Sequence, residues 1–414
     1  MQYVLWKENG SEMPPVDIVY FDPECTGYHP GHVKLIVDRA VLDSRVASAH
    51  FVFGPDFSTY DRSNILGTIE SETKLSFEYC SQAVADACKP TSGLRARHVG
   101  AIRWSEARRI LQNRPGSIFF DSQFDATIIG SALDRRSVPG FATGIVHYSA
   151  PALLAKRAMQ RWHIRIGYIL AKRRETPCVL TFDRMFVEKG PRYIVNNWHW
   201  VPEPLPVSRE QLQRLLSAGP PPAKERVEFL LFGSLGRRKG VFNLLEALER
   251  LDASTAKRVS VRILGKYSEG GVGELELFRS LISGIQVAGL IDIQFEDRFA
   301  SEDELIDASI SCDVVLAPYL HHTGGSSVAI WAAAAGRPIL TQNSGSIANA
   351  VTANGLGVMC DPTDPAELAA AITVMVNEGY REAWQSQQPR EFAVEHSADH
   401  FYSSIVDQLA LCKR

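Results

Sequence analysis

The chain has 414 residues, 45% of them hydrophobic and 22% charged, which is the composition of a packed globular protein with room for two or three domains. A formal net charge of only -3 excludes whole-surface attraction to nucleic acid, so no nucleic-acid partner is expected. Seven scattered cysteines, at 25, 80, 88, 178, 312, 360 and 412, form no C-x-x-C pair, which argues against a disulfide framework or a zinc site and fits a reducing cytoplasm.

The opening segment, MQYVLWKENGSEMPP, carries charge where a signal peptide needs an apolar core. No apolar stretch approaches the ~20 residues that span a bilayer. The expectation is a soluble cytoplasmic protein, at most peripheral at the inner membrane face. Short β-rich runs alternate with helical ones, the pattern of an α/β fold with parallel sheets. In the first half, strands are expected at 17–22 (DIVYFD), 50–53, 117–121 (SIFFD), 143–147 (TGIVH) and 178–182. Helices are expected at 31–43, 105–112 and 150–174, and residues 59–97 give no clear pattern. The basic stretch 155–175, AKRAMQRWHIRIGYILAKRRE, reads either as an amphipathic helix touching anionic lipid or a phosphate-bearing acceptor, or as a solvated charged face.

Two proline clusters follow, WVPEPLPV at 200–207 and GPPPAKE at 219–225. Proline at that density breaks regular structure and stiffens a connector. The domain boundary is placed there: a first domain at 1–205, a linker at 206–225, a second domain at 226–378, and C-terminal helices at 379–414 that cross back to the first domain. In the second domain strands are expected at 227–233, 259–265, 291–296, 313–318, 338–341 and 357–360. Helices are expected at 241–251, 274–283, 301–308, 326–335, 346–353 and 365–377. Such an alternation makes a doubly wound sheet, which binds ligands outside the carboxyl ends of its strands.

Three loops leave those ends. FGSLGRRKG, at 232–240, sets Arg237, Arg238 and Lys239 at a strand-to-helix turn. Helix-end N–H groups and full positive charges attract phosphate, though a solvated basic helix start has the same pattern. LGKYSEGGVGE, at 264–274, opens on Gly265 and matches neither phosphate fingerprint. APYLHHTGGSSVAIWAAAAGRPIL, at 317–340, starts a helix on Gly324, Gly325, Ser326 and Ser327. Their amides suit an anion; an ordinary N-cap before a buried helix is the plainer alternative.

These residues together resemble the donor-binding domain of the GT-B glycosyltransferases, most closely the retaining family 4 (glycosyltransferase group 1). The matching signatures run in order. G-x-L-x-x-x-K-G is Gly233, Leu235, Lys239 and Gly240; a strand ends at Gly265; D-V-V-L-A-P is 313–318; A-x-G-x-P is Ala334, Gly336 and Pro338; and G-x-G-V-x-x-D-P-x-D-P-x-x-L-A-x-A-I spans 355–372. The resemblance implies two Rossmann-like doubly wound domains facing a cleft. It implies a nucleotide-diphosphate sugar as donor substrate, with no separate cofactor and no metal. It implies transfer of a hexose-type sugar, with retention, to a hydroxyl acceptor that is a glycan, a lipid-linked molecule or a small molecule.

It also implies roles. Lys239 grips the donor diphosphate. The family's arginine just after Gly233 is Ser234 here, leaving Arg237 or Arg238 to compensate. The family's two glutamates, eight positions apart, are Thr323 and Trp331 in this chain. The loop DPECTGYHPGH, at 22–32, takes the place of one that covers diphosphate and acceptor, with Gly27 and Gly31 as glycines and His29 and His32 as acceptor-side contacts. His147 ends a strand where the family often has a histidine near the sugar. His321 and His322 lie beside the Gly-Gly-Ser-Ser turn and could face the sugar. The expected catalytic set is His147, Lys239 and Arg238. Because of Thr323 and Trp331, a non-catalytic sugar-nucleotide or glycan-binding relative, acting as a partner subunit, is the competing reading. A dinucleotide-dependent oxidoreductase is disfavoured, since no strand precedes the glycine fingerprint it needs.

Overall fold

A computed structural model describes residues 14–24, 29–61, 63–88, 95–134, 138–147, 176–190, 192, 197–221, 224–268, 270–322, 324–377 and 388–413. The basic segment 155–175, Gly27 and Thr323 lie outside the described residues. Two compact units emerge: Met1–Pro202 with Phe401–Arg414, and Glu203–His400.

The first unit holds, among the described residues, one seven-stranded sheet. Its strands are β1 (Val16–Asp22), β2 (Val46–Phe53), β3 (Leu75–Tyr79), β4 (Ile118–Asp121), β5 (Phe141–Val146), β6 (Val179–Thr181) and β7 (Trp198–Trp200). They pair in parallel in the order β3-β2-β1-β4-β5-β6-β7. Side chains alternate across a strand, so β1 feeds two cores. Ile18 and Tyr20 join Phe51, Phe120, Val33 and Val37 on one face, where Phe401, Ile405 and Leu409 of the last helix, Ala398–Cys412, also pack. Val19 and Phe21 join Phe119, Trp104, Leu111 and Ile128 on the other. Burial on both faces explains why β1 reads as a near-continuous apolar run.

The sequence reading did not find β3 or β7. It also placed a helix at 105–112 where the structure has Arg95–Asn113. That helix delivers a buried cation. Arg103 and Asp121, at the end of β4, are 1% and 0% exposed. The guanidinium donates from Nε to Asp121 Oδ2 at 3.1 Å, from Nη2 to Oδ1, and from Nη1 to the Cys88 carbonyl at 3.3 Å. Thr127 Oγ1 and the Gln123 amide also donate to the carboxylate. Burial opposes the Arg103 charge, but Asp121 outweighs it and raises the pKa.

The second unit holds, among the described residues, one six-stranded sheet: β8 (Val227–Phe232), β9 (Val259–Leu264), β10 (Asp292–Glu296), β11 (Val314–Ala317), β12 (Ile339–Gln342) and β13 (Gly357–Cys360). All pair in parallel in the order β10-β9-β8-β11-β12-β13. Each strand falls where the sequence pattern put it. The stretch after Pro202 packs into this unit. Ser208 and Gln211 form a capping box for the helix Arg209–Leu216, which satisfies two backbone N–H groups at its start. Its Leu212 and Leu215 bury with Leu205, Val207, Ile330 and Trp331. No helix among the described residues is long and apolar enough to cross a membrane.

Removing one member of a buried ion pair strands the other charge, at a cost of about 3–5 kcal/mol. Arg103→Met is therefore expected to destabilise the first unit by that amount in urea denaturation. Arg103→Met combined with Asp121→Leu should recover most of the loss.

Candidate functional site

Strand order reverses between β8 and β11 in the second sheet, and the loops leaving their carboxyl ends are the place for a ligand. After β8 the chain turns through a 3-10 helix, Arg237–Lys239, into the helix Val241–Glu249. Gly240 joins them at φ +72°, and a Cβ there would stand 1.9 Å from the Pro318 carbonyl oxygen. Only glycine allows that approach. The Leu320 amide donates to the Arg238 carbonyl at 2.9 Å, tying the β11 loop to the β8 loop.

This places Lys239 Nζ 4.0 Å from the centre of the Tyr319 ring, a cation–π contact. Arg237 and Arg238 are exposed. Arg237 lies over the Phe242 ring at 4.4 Å and pairs with Glu274 at 3.1 Å. Ser234 Oγ meets Ser268 Oγ at 2.5 Å. The contact exists because Gly265 ends β9 against Gly233, where a Cβ would come within 1.8 Å of the Gly233 carbonyl oxygen.

The β11 loop is tied down by its own side chains. Tyr319 Oη and Ser326 Oγ are 3.0 Å apart. His322 Nε2 donates to the Gly325 carbonyl at 2.7 Å, and the His322 amide donates to Gln342 Oε1 at 3.1 Å. Gln342 Nε2 donates to the His322 and Ser344 carbonyls. His321 adopts φ +56°, a conformation uncommon outside glycine. Burial lowers the His322 pKa, and Lys239 and Arg238 lower it further. Gly324, Gly325 and Ser326 lead into the helix Ser327–Ala334, whose N-cap Ser326 makes no side-chain cap hydrogen bond.

One group in this cluster was not singled out from the sequence. Glu203, between Pro202 and Pro204, sets a carboxyl oxygen against Gly325, 2.5 Å from where a Cβ would stand, within the field of Lys239 and the Ser327 backbone. Burial raises its pKa to about 7, against the opposing pull of Lys239 and Ser327. The only sequence signal was a glutamate fixed between two prolines in an apparent connector. Trp331, expected among the donor contacts, is instead 3% exposed and packs edge-on to Phe232 at 6.2 Å. After Ser327 the helix that bears it is apolar on every side and buried, so this indole belongs to the core.

In the first unit the order reverses between β1 and β4. His29 opens the helix His29–Leu42 and is 4% exposed. Its Nδ1 lies 2.9 and 2.8 Å from the Asp22 carboxylate oxygens, and its Nε2 is 3.3 Å from Glu24. Gln123 Nε2 donates to Glu24 at 2.9 Å. Burial works against the His29 charge, but Asp22 and Glu24 raise its pKa to about 10. His32 packs against the rings of Phe182 and Phe401. Burial, then the charges of His29 and His147, push it down to about 3. His147 Nε2 donates to the Ser122 carbonyl at 2.9 Å, its amide donates to Asp125 at 3.0 Å, and its ring meets Phe182 edge-on. The three histidines thus gather at one edge, with His29 anchored by carboxylates of its own unit.

The family Glycosyl transferases group 1 matches residues 214–391. D-inositol 3-phosphate glycosyltransferase of Nocardiopsis dassonvillei is 30% identical over 187 residues, 44% of this chain and 42% of that protein. Glycogen synthase of Mycobacterium tuberculosis is 29% identical over 153 residues, 36% of this chain and 34% of that protein. The chain thus matches less than half the length of these curated relatives. Among solved structures, Anabaena HepE in complex with UDP and glucose superposes with a TM-score of 0.61 at 14% identity, covering 95% of this chain and 99% of that one. The trehalose-phosphate synthase (UDP-forming) of Burkholderia vietnamiensis gives 0.65 at 12% identity, again over 95% and 99%. Residues 214–391 match the group 1 glycosyltransferase family, and the two parallel-sheet units share the GT-B fold of these solved structures.

A histidine whose folded pKa is raised contributes stability that is complete below its unfolded pKa and disappears as pH climbs through the folded one. For His29 that window runs from 6.5 to about 10. Thermal melts are expected to lose stability across this range, and the slope should flatten in His29→Gln. Equal slopes in the two proteins would refute the ion-pair assignment.

Proposed function

We propose that this chain is a glycosyltransferase that moves a hexose-type sugar from a nucleoside-diphosphate sugar to a hydroxyl acceptor, with retention and without a metal. The observation that carries the proposal is the setting of Lys239: at the reversal of strand order, over Tyr319, and beside exposed Arg237 and Arg238. When a glycosidic bond to a diphosphate breaks, negative charge grows on the leaving phosphate. Fixed cations and helix-end amides stabilise that charge more in the transition state than in the ground state. Lys239 with Arg237 and Arg238 supplies this charge, which is the support for metal independence.

The retaining outcome rests on the resemblance of residues 233–372 to family 4. The donor base is proposed as uridine, because HepE is solved with UDP and UDP-glucose. The acceptor is proposed as a hydroxyl of a glycan, a lipid-linked molecule or a small molecule, and the protein as one that works in the cytoplasm or at the inner membrane face.

A nucleotide stabilises only the state that binds it. A thermal-shift screen of UDP, GDP, ADP and dTDP is expected to give one clear stabiliser. Lys239→Ala should weaken that nucleotide about 10- to 100-fold, the value of a lost charged hydrogen bond, with the circular dichroism spectrum unchanged. Donor hydrolysis without acceptor should fall in parallel. Wild-type affinity in the variant would remove the diphosphate from this site.

A further inference from the structure

Glu203 sits inside the proposed donor site although its chain segment leads into the domain rather than belonging to any of its site loops. Prolines on both sides restrict its backbone, so the side chain starts from a fixed point. One carboxyl oxygen lies 2.5 Å from where a Cβ on Gly325 would stand. The absence of a side chain at residue 325 is what admits it. The Lys239 charge and the Ser327 backbone both favour the ionised form of this carboxyl group, against its burial. Glu203 therefore lies against the turn that opens the helix, within the field of the cation that a diphosphate requires.

A carboxylate and a phosphate repel at close range, so a diphosphate drawn to Lys239 and the Ser327 amide meets the Glu203 charge. A nucleotide sugar nevertheless carries a second kind of group, the hydroxyls of the sugar joined to its terminal phosphate. A carboxyl group accepts hydrogen bonds from hydroxyls and, when it keeps its proton, also donates one. Burial and Lys239 pull Glu203 in opposite directions, so both forms are within reach near neutral pH.

We propose that Glu203 is a specificity-determining residue of the donor site, binding a hydroxyl of the transferred sugar while Lys239 and the Ser327 amide hold the diphosphate. This assignment rests on the donor site proposed above.

Calorimetric titration of UDP and UDP-glucose, with ADP and GDP and their glucose and mannose conjugates in parallel, separates the two ideas. In Glu203→Ala, affinity for the bare nucleoside diphosphate should stay level or rise, because a competing anion has gone. Affinity for the sugar conjugate should fall about 10-fold or more, the value of a hydrogen bond to a charged partner. Glu203→Gln keeps the shape and one acceptor, so it folds if the alanine variant does not. It should lose less, and should change the ratio between UDP-glucose and UDP-galactose. A purely structural Glu203 would change diphosphate and conjugate by the same factor or leave both alone, and either result overturns the assignment. Failure of the wild type to bind any nucleotide would overturn the donor site itself, and the role of Glu203 with it.

Discussion

The space for a side chain at residue 240 is already filled by the carbonyl of Pro318. That steric fact lets the turn after β8 lie against the end of β11, and the remaining geometry follows. Lys239, one residue earlier, can then rest over Tyr319, a contact of about 0.5–2 kcal/mol. Tyr319 in turn meets Ser326, the N-cap of the helix Ser327–Ala334. A cation, an aromatic ring and a helix end are thereby held as one piece. Preorganisation of this kind is what electrostatic catalysis requires, since donors already in place need no reorganisation as charge develops.

The cluster must also be tolerable when empty. Three consecutive cations at one turn repel each other, and a fold that concentrates like charge loses stability. Internal carboxyl groups limit that loss. Arg237 is paired with Glu274, and Lys239 is opposed by Glu203. His322 contributes no further positive charge, because burial and its cationic neighbours keep its pKa low. The positive charge is thus held in check by carboxyl groups of the same unit.

The central strands of the second unit were legible because β8, β11 and β12 are short apolar runs with buried cores, and all six strands are bounded by turn residues. Helix starts were legible for a similar local reason: at Ser301 and Glu304 a capping box marks the boundary. The first unit gave less away. β3 is an edge strand whose Tyr79 is exposed, and β7 is the three residues WHW just before a proline. β7 is too short to show a period, and β3, LSFEY, alternates apolar and polar residues inside a stretch with no clear pattern around it. In the site, glycines and cations were readable because backbone approach and charge demand particular residue types. Trp331 misled because alignment with a family position says nothing about which way a side chain packs. Glu203 escaped notice because its importance comes from proximity to residues far along the chain, and a Pro-Glu-Pro sequence looks like a spacer.

The two carboxyl edges differ in the sign of what they present. In the first unit the edge carries Asp22, Glu24, Asp121 and Asp125, and the positive charges of His29 and Arg103 are spent inside the unit on Asp22, Glu24 and Asp121. In the second unit the edge carries Arg237, Arg238 and Lys239. A phosphate is attracted to the second edge and gains little from the first. The same doubly wound scaffold, built twice, therefore carries charge of opposite sign at the ends of its strands through the residue types placed there, which is where function is written on folds of this class.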